Sequence, residues 1–134
     1  MSYSIHDHHV LAVTVDAKAR TIGLRTANPE KTGPQFGMAV FTGVAAYVFR
    51  GDALGTILFD IEPMDAWALY RQSAGALQLI HAQTGGHAAW VRDERVAAGF
   101  IKENALVGYR ITSSIGLEGE VWARSPKIHE IQKQ

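Results

Sequence analysis

Three groups of side chains in this 134-residue chain are of types that could do chemistry. Near the start, His6-Asp7-His8-His9 would project His6 and His8 to the same face of an extended segment, and two imidazoles with a carboxylate suit zinc, nickel or copper. The remaining histidines, His81, His87 and His129, are scattered and mark no second ligand group, so the simpler account is a solvated start leading into a first strand. The second group is Asp60, Glu62 and Asp65. Neighbouring carboxylates can divide acid and base roles or hold magnesium where burial separates their pKa values, yet a wet strand end followed by a first-turn helix residue gives the same pattern. The third is Ser113-Ser114, which lies in no G-x-S-x-G and at no recognised spacing from a histidine, and so reads as a turn. No catalytic residue is assigned, no phosphate-binding glycine loop occurs, and no cofactor is implied.

The elements that must position these groups are organised around residues 38–61, the longest apolar part of the chain. Val44, Ala46 and Val48 alternate with Ala45, Tyr47 and Phe49, and Ile57, Phe59 and Ile61 alternate with Thr56, Leu58 and Asp60, so neither face of these two arms is plainly wet. Between them, Arg50-Gly51-Asp52-Ala53-Leu54-Gly55 suits a reversal, and the expectation is a central β-hairpin. Gly43 disturbs the alternation and suggests a bulge or a close backbone approach. Before it, residues 10–15 and 20–27 form a first hairpin around Asp16-Ala17-Lys18-Ala19, followed by a loop over 28–35 with two prolines and no apolar residue.

After residue 61 the period lengthens. Trp67, Tyr70, Ala74, Leu77 and Ile80 share one helical stripe, with Pro63 and Asp65 suited to its first turn and Gly85-Gly86 to its end. A second stripe, Trp90, Glu94, Ala97 and Ile101, has Gly99 inside it and is either a full helix or a shorter one with an irregular end. Residues 107–123 form the last hairpin, in which Arg110 faces Glu118 or Glu120 across the strands, and the tail extends the last strand. Trp67 and Trp90 read as core or rim. Trp122 alternates with Val121 beside Glu120 on the face expected to be wet, where an exposed tryptophan would anchor a partner.

Composition excludes several functions. Thirteen basic and thirteen acidic residues cancel, and the aromatics are not interleaved with basic residues, so nothing draws nucleic acid or an anionic membrane. The absence of cysteine removes thiolate chemistry and disulfides. No apolar run nears the ~20 residues of a membrane helix, the first residues lack the pattern of a secretory signal, and the expected location is the cytoplasm. An apolar fraction of 47% with 19% charged residues describes one ordinary globular domain.

Taken together, HDHHVLAVTVDAKARTIGLRT, VFTGVAAYVFRGDALGTILFDI and GYRITSSIGLEGEVWA resemble a pattern in small uncharacterised bacterial α+β proteins, some of toxin-immunity type, with Phe41, Gly43 and Val44 in one strand, Asp60-Ile61 ending another, and Gly116, Gly119 and Val121 in the last. The resemblance rests on core and turn residues, and what it implies is the fold and a binding role. The chain is therefore expected to be a single α+β domain with an antiparallel sheet of about six strands, two N-terminal hairpins, two helices packed on one face and a C-terminal hairpin. Its expected function is non-enzymatic binding of a protein partner through a sheet face or edge, or self-association as a homodimer, with Trp122, Glu118, Glu120 and Arg110 as candidate contacts. The alternative is a small-molecule binder or hydrolase whose pocket, between sheet and helices, is lined by Tyr47, Trp67, Tyr70 and Trp90.

Overall fold

The structure is a computed structural model that describes residues 7–28, 36–51, 55–83 and 89–131. The expected loop over 29–35, the turn residues Asp52-Ala53-Leu54 and the Gly85-Gly86 helix stop lie outside the described residues. Strands β1 (His9–Asp16), β2 (Thr21–Ala27), β3 (Phe36–Thr42), β4 (Ala46–Arg50) and β5 (Ile57–Met64) precede the helices α1 (Ala66–Gln83) and α2 (Glu94–Glu103), which are separated by a 3-10 helix (Ala89–Arg92). Strands β6 (Val107–Ile115), β7 (Glu118–Ala123) and β8 (Ser125–Ile131) follow. The chain is α+β with one antiparallel sheet, in the order β4-β7-β6-β5-β1-β2-β3-β8.

The first and last hairpins form where alternation places them. In β1 and β2, Val13 faces Leu24 and Val15 faces Ile22, and Asp16 closes the turn by accepting the Ala19 N–H on its carboxylate at 2.9 Å. In β6 and β7, Tyr109 faces Val121 and Ile111 faces Gly119. The central hairpin is different. Gly51 and Gly55 do take positive φ, 67° and 89°, but the arms they join never pair: β4 lies on β7, and β5 lies between β6 and β1. The tip of the last hairpin is inserted between them. At Gly116 a Cβ would lie 2.2 Å from the Thr56 hydroxyl, at Gly51 one would lie 2.7 Å from the Gly116 carbonyl oxygen, and the Leu117 N–H donates to that same Thr56 hydroxyl at 3.1 Å. Only glycine fits where the two turns meet.

Eight strands are present where about six are expected because two of them bend. β3 passes into β4 through Gly43 (φ 61°), and β7 passes into β8 through Arg124. The two bent strands stay paired through the corner, where the Arg124 N–H donates to Thr42 O at 3.1 Å and the Ala45 N–H to Trp122 O at 2.8 Å. The register shifts by one residue there, from Thr42↔Ser125 to Ala46↔Trp122. That is the signature of a bulge. A Cβ on Gly43 would meet the side chain of Arg124 at 2.9 Å, so the expected bulge and the expected close approach both occur at this glycine. Counting each bent strand once gives six, and because β1 also meets β5 at His9↔Ile57, the sheet closes on itself as a small barrel.

The barrel is filled. Ile22, Leu24, Phe41, Leu58, Ile111 and Leu117 are essentially inaccessible inside it. The helices cover the outer face of β4, β7 and β6, where Ala46, Val48 and Trp122 meet Leu69, Tyr70, Trp90 and Val91. Each large side chain buried in this second layer stabilises the fold by ~1.5–3 kcal/mol before ordering entropy is deducted. Asp65 starts α1, its carboxylate accepting the Ala68 N–H at 2.9 Å, and Asp93 starts α2 in the same way through Val96 at 2.9 Å. Pro63 belongs to β5, not to the first helical turn, and Trp90 lies in the 3-10 helix that precedes α2. Gly99 stays within α2, which runs its full length to Asn104 as C-cap. Among the described residues no helix is long and apolar enough to cross a membrane.

Candidate binding cleft

β4 is hydrogen-bonded on one side, to β7. Along its other side runs a cleft of about 950 Å³. Every residue from Val44 to Phe49 lines it, and no residue of β7 does. Successive strand residues point to opposite faces, so a cavity that touches six in a row must follow the strand's edge. One wall comes from the end of β1 and the β1–β2 turn, including Val15 and Arg20, and is tied to the floor where the Val44 N–H donates to Arg20 O at 3.0 Å. The other wall is the 3-10 helix and α2, with Trp90, Arg92, Val96 and Phe100.

The cleft exposes apolar side chains. Tyr47 is 38% exposed and Val15 is 42% exposed, and both line it. Tyr47 packs on Phe49 with ring centroids 5.0 Å apart. Trp90 stiffens the opposite wall: its ring stacks on Phe100 at 5.1 Å and 5° and meets the edge of Trp122 at 6.4 Å, while its Nε1–H donates to Ala45 O at 3.1 Å. That bond fixes the residue immediately before β4 to the helical layer. The cleft also carries charge. Arg20 and Arg92 are exposed, and neither has an ion pair among the described residues. Asp16 is the lining carboxylate, and it accepts the Ala19 amide.

Of the four aromatics expected in a pocket between sheet and helices, Tyr47 and Trp90 line the cleft. Trp67 and Tyr70 do not. They stack on each other at 5.5 Å and 14°, and the Tyr70 hydroxyl donates to Val91 O at 3.0 Å within the helical layer. Trp122 is fully buried. α1 covers the face of β7 expected to be wet, and the indole Nε1–H donates to Ala66 O at 3.1 Å, so Trp122 is a core side chain and offers no exposed anchor.

The expected partners on β6 and β7 are arranged differently from a cross-strand pair. Arg110 does face Glu120 in register, but its guanidinium donates to Gln72 of α1. Glu120, 6% exposed, is instead held by both arms of the Arg50 guanidinium, at 3.1 and 2.5 Å, and by the Ser73 hydroxyl at 3.0 Å. The hydrogen bond that Arg50 donates to Glu120, ahead of the desolvation that opposes it, raises the pKa of Arg50. These groups and the exposed Glu118 border a smaller cavity of about 270 Å³. Glu120, Arg50 and Ser73 satisfy one another there, and the arrangement fastens β4, β7 and α1 together.

His8 points inward and is 4% exposed, with its Nδ1 2.7 Å from the Thr26 hydroxyl. His6, His87 and the side chains of His81 and His129 lie outside the described residues. Among the described residues no group of three His, Cys, Asp or Glu side chains could hold a metal ion. The acidic group at the end of β5 is dispersed: Asp60 accepts the Ile61 N–H at 2.8 Å, Glu62 faces Arg110 in register, and Asp65 caps α1. The Ser113 hydroxyl donates to Leu117 O across the last hairpin, but Ser113 and Ser114 belong to β6 and not to a turn, because the strand runs on to Ile115 and the reversal is confined to Gly116-Leu117.

Val15, Arg20, Arg92 and Phe100 were not among the residues that sequence reasoning selects, because each lies in a different element and nothing in local pattern brings the β1–β2 turn opposite the 3-10 helix. Comparison of the chain with protein-family models, with curated proteins and with solved structures finds no match.

Proposed function

We propose that this is a non-enzymatic binding protein that takes an extended segment of a protein partner along the free edge of β4. The observation that carries this reading is the cleft itself: it follows an unpaired strand edge, and it exposes Tyr47 and Val15 on the way. A strand that lacks a neighbour offers a row of backbone donors and acceptors, and an added strand satisfies them while its side chains fill pockets to either side. The saturated network around Glu120 and the local bonds of Ser113, Asp60 and Asp65 favour structural duties for the groups that would otherwise suggest catalysis. The resemblance to proteins of toxin-immunity type agrees with a role in binding.

A volume of about 950 Å³ also suits a compact small molecule, and the two occupants leave different marks. Selection from a library of random linear peptides, followed by hydrogen exchange on the complex, decides between them. Peptides are expected to bind wild type, to lose binding to Tyr47→Lys, which alters a side chain already exposed, and to slow amide exchange in β4. Failure of the library to yield binders, or binders indifferent to Tyr47→Lys, would overturn the proposal. A compact ligand that fills the cleft and leaves β4 exchange unchanged would establish the small-molecule alternative.

A further inference from the structure

We infer that the segment recognised by the cleft is an apolar stretch followed, on its C-terminal side, by acidic side chains. This rests on the reading of the cleft as a docking site for an added strand. β4 has five residues, so a segment of equal length spans ~17 Å. Its alternate side chains would face two different surfaces, Tyr47, Phe49 and Val15 on one side and Trp90, Val96 and Phe100 on the other. Both are apolar. A strand covered on both faces is apolar at consecutive positions and does not alternate, which sets the expected pattern for the centre of the segment.

Charge sets its end. Arg20 and Arg92 stand in opposite walls, exposed and without ion pairs among the described residues, while Asp16, the one lining carboxylate among the described residues, accepts a backbone amide of its own turn. Two such guanidiniums over an apolar floor favour carboxylates at the rim. Arg20 lies where β4 begins, fixed there by the bond from Val44 N–H to its carbonyl oxygen. Every strand pair in this sheet is antiparallel, and a segment added in the same sense brings its C-terminal end beside Arg20. The acid therefore follows the apolar stretch. The same charges disfavour a second copy as occupant, since an antiparallel β4 edge from another copy ends in Arg50 and would set a further cation, not an acid, beside Arg20.

The test uses the peptides selected on wild type, measured by fluorescence anisotropy against wild type, Arg20→Glu and Arg92→Glu at low and high salt. Both substitutions are at exposed positions, and unchanged urea unfolding verifies that the fold is retained. The expected result is an acid enriched after the apolar stretch, affinity that falls on the order of tenfold to a hundredfold on Arg20→Glu, weakening in salt, and recovery when the peptide's acid is exchanged for lysine. Peptides that need Tyr47 but show no acid preference and bind Arg20→Glu unchanged would overturn this inference while leaving the docking site in place. Absence of peptide binding to wild type, or a dimer in light scattering that dissociates on Tyr47→Lys, would overturn both.

Discussion

Replacing Gly119 with alanine should detach β4 from the barrel. A methyl group at that position would lie 2.2 Å from the carbonyl oxygen of Val48, 2.7 Å from Cδ1 of Phe49 and 3.2 Å from its Cα. The aromatic ring could turn aside, but the carbonyl belongs to the backbone of the neighbouring strand. Carbon and oxygen in contact sit ~3.3 Å apart or more, so β4 must retreat by ~1 Å. A ladder bond of ~2.9 Å stretched by that amount is no longer a hydrogen bond. Losing two or three such bonds at ~1 kcal/mol each, together with ~1–3 kcal/mol of overpacking, predicts destabilisation of ~3–6 kcal/mol. That is a large part of the 5–15 kcal/mol typical of a whole domain. Urea unfolding followed by tryptophan fluorescence measures the loss, and hydrogen exchange should show faster exchange in β4 while β1 and β2 are unchanged. The same substitution at Gly75, exposed in the middle of α1 with nothing within 4 Å of its would-be Cβ, should stabilise by ~1 kcal/mol through helix propensity alone. Equal midpoints for wild type and Gly119→Ala would refute the packing of β4 on β7 described above.

Trp122→Ala should cost ~3–5 kcal/mol in the same urea experiment, because it empties the centre of the second core layer and leaves the Ala66 carbonyl without its indole donor; a loss under ~1 kcal/mol would mean that the layer is not packed as described. Burial raises the pKa of the Tyr109 phenol above its ordinary value near 10, so the neutral phenol stabilises the fold fully below pH ~10 and that contribution declines as pH rises through the folded value, by at most ~1.4 kcal/mol per pH unit for one group. Unfolding midpoints measured from pH 8 to 11 should fall more steeply for wild type than for Tyr109→Phe, and parallel curves would assign the alkaline loss to other groups.

Local pattern carried the first and last hairpins, the two helices and the bulge at Gly43, because each is decided by residues within one or two turns of one another. It did not carry the partner of β4. Gly51 and Gly55 reverse the chain as their sequence suggests, and the alternation on both arms is that of strands, so adjacency in sequence argued for pairing. What separates the arms is the fit of Gly116 against Thr56 and of Gly51 against Gly116, contacts between segments about sixty residues apart. The same distance explains Trp122. Its alternation with Val121 marked an outward face, which is correct, but the outward face of β7 is dry because α1 lies on it. Apolar residues on both faces of the central arms were the better guide, since they required two coverings, and the filled barrel and the helical layer supply them. The cleft was legible only in part, through Tyr47 and Trp90, since Arg20 and Arg92 come to line it by topology alone.

An open strand edge is usually a liability, and its placement here bears on what it can bind. Natural sheets blunt free edges with charges, prolines or bulges along the strand. β4 has no proline, and Arg50, its single charged residue, is turned onto Glu120 on the outer face beneath α1. Its edge is protected in another way, by recession: the β1–β2 turn and the 3-10 helix stand on either side of it. A flat sheet edge from another folded protein would have to displace those walls to reach the backbone of Tyr47 and Phe49. A single extended segment would not. The walls therefore select against edge-to-edge association while admitting one strand, and the two arginines they carry give that strand a direction. Removing the recession should uncouple these effects. Shortening the β1–β2 turn by deleting Ala17 and Lys18 would widen the mouth and remove part of the wall that holds Arg20, so peptide affinity should fall while the tendency to associate, read by light scattering, should rise; a variant that stayed monomeric and bound peptides as before would show that the walls do neither.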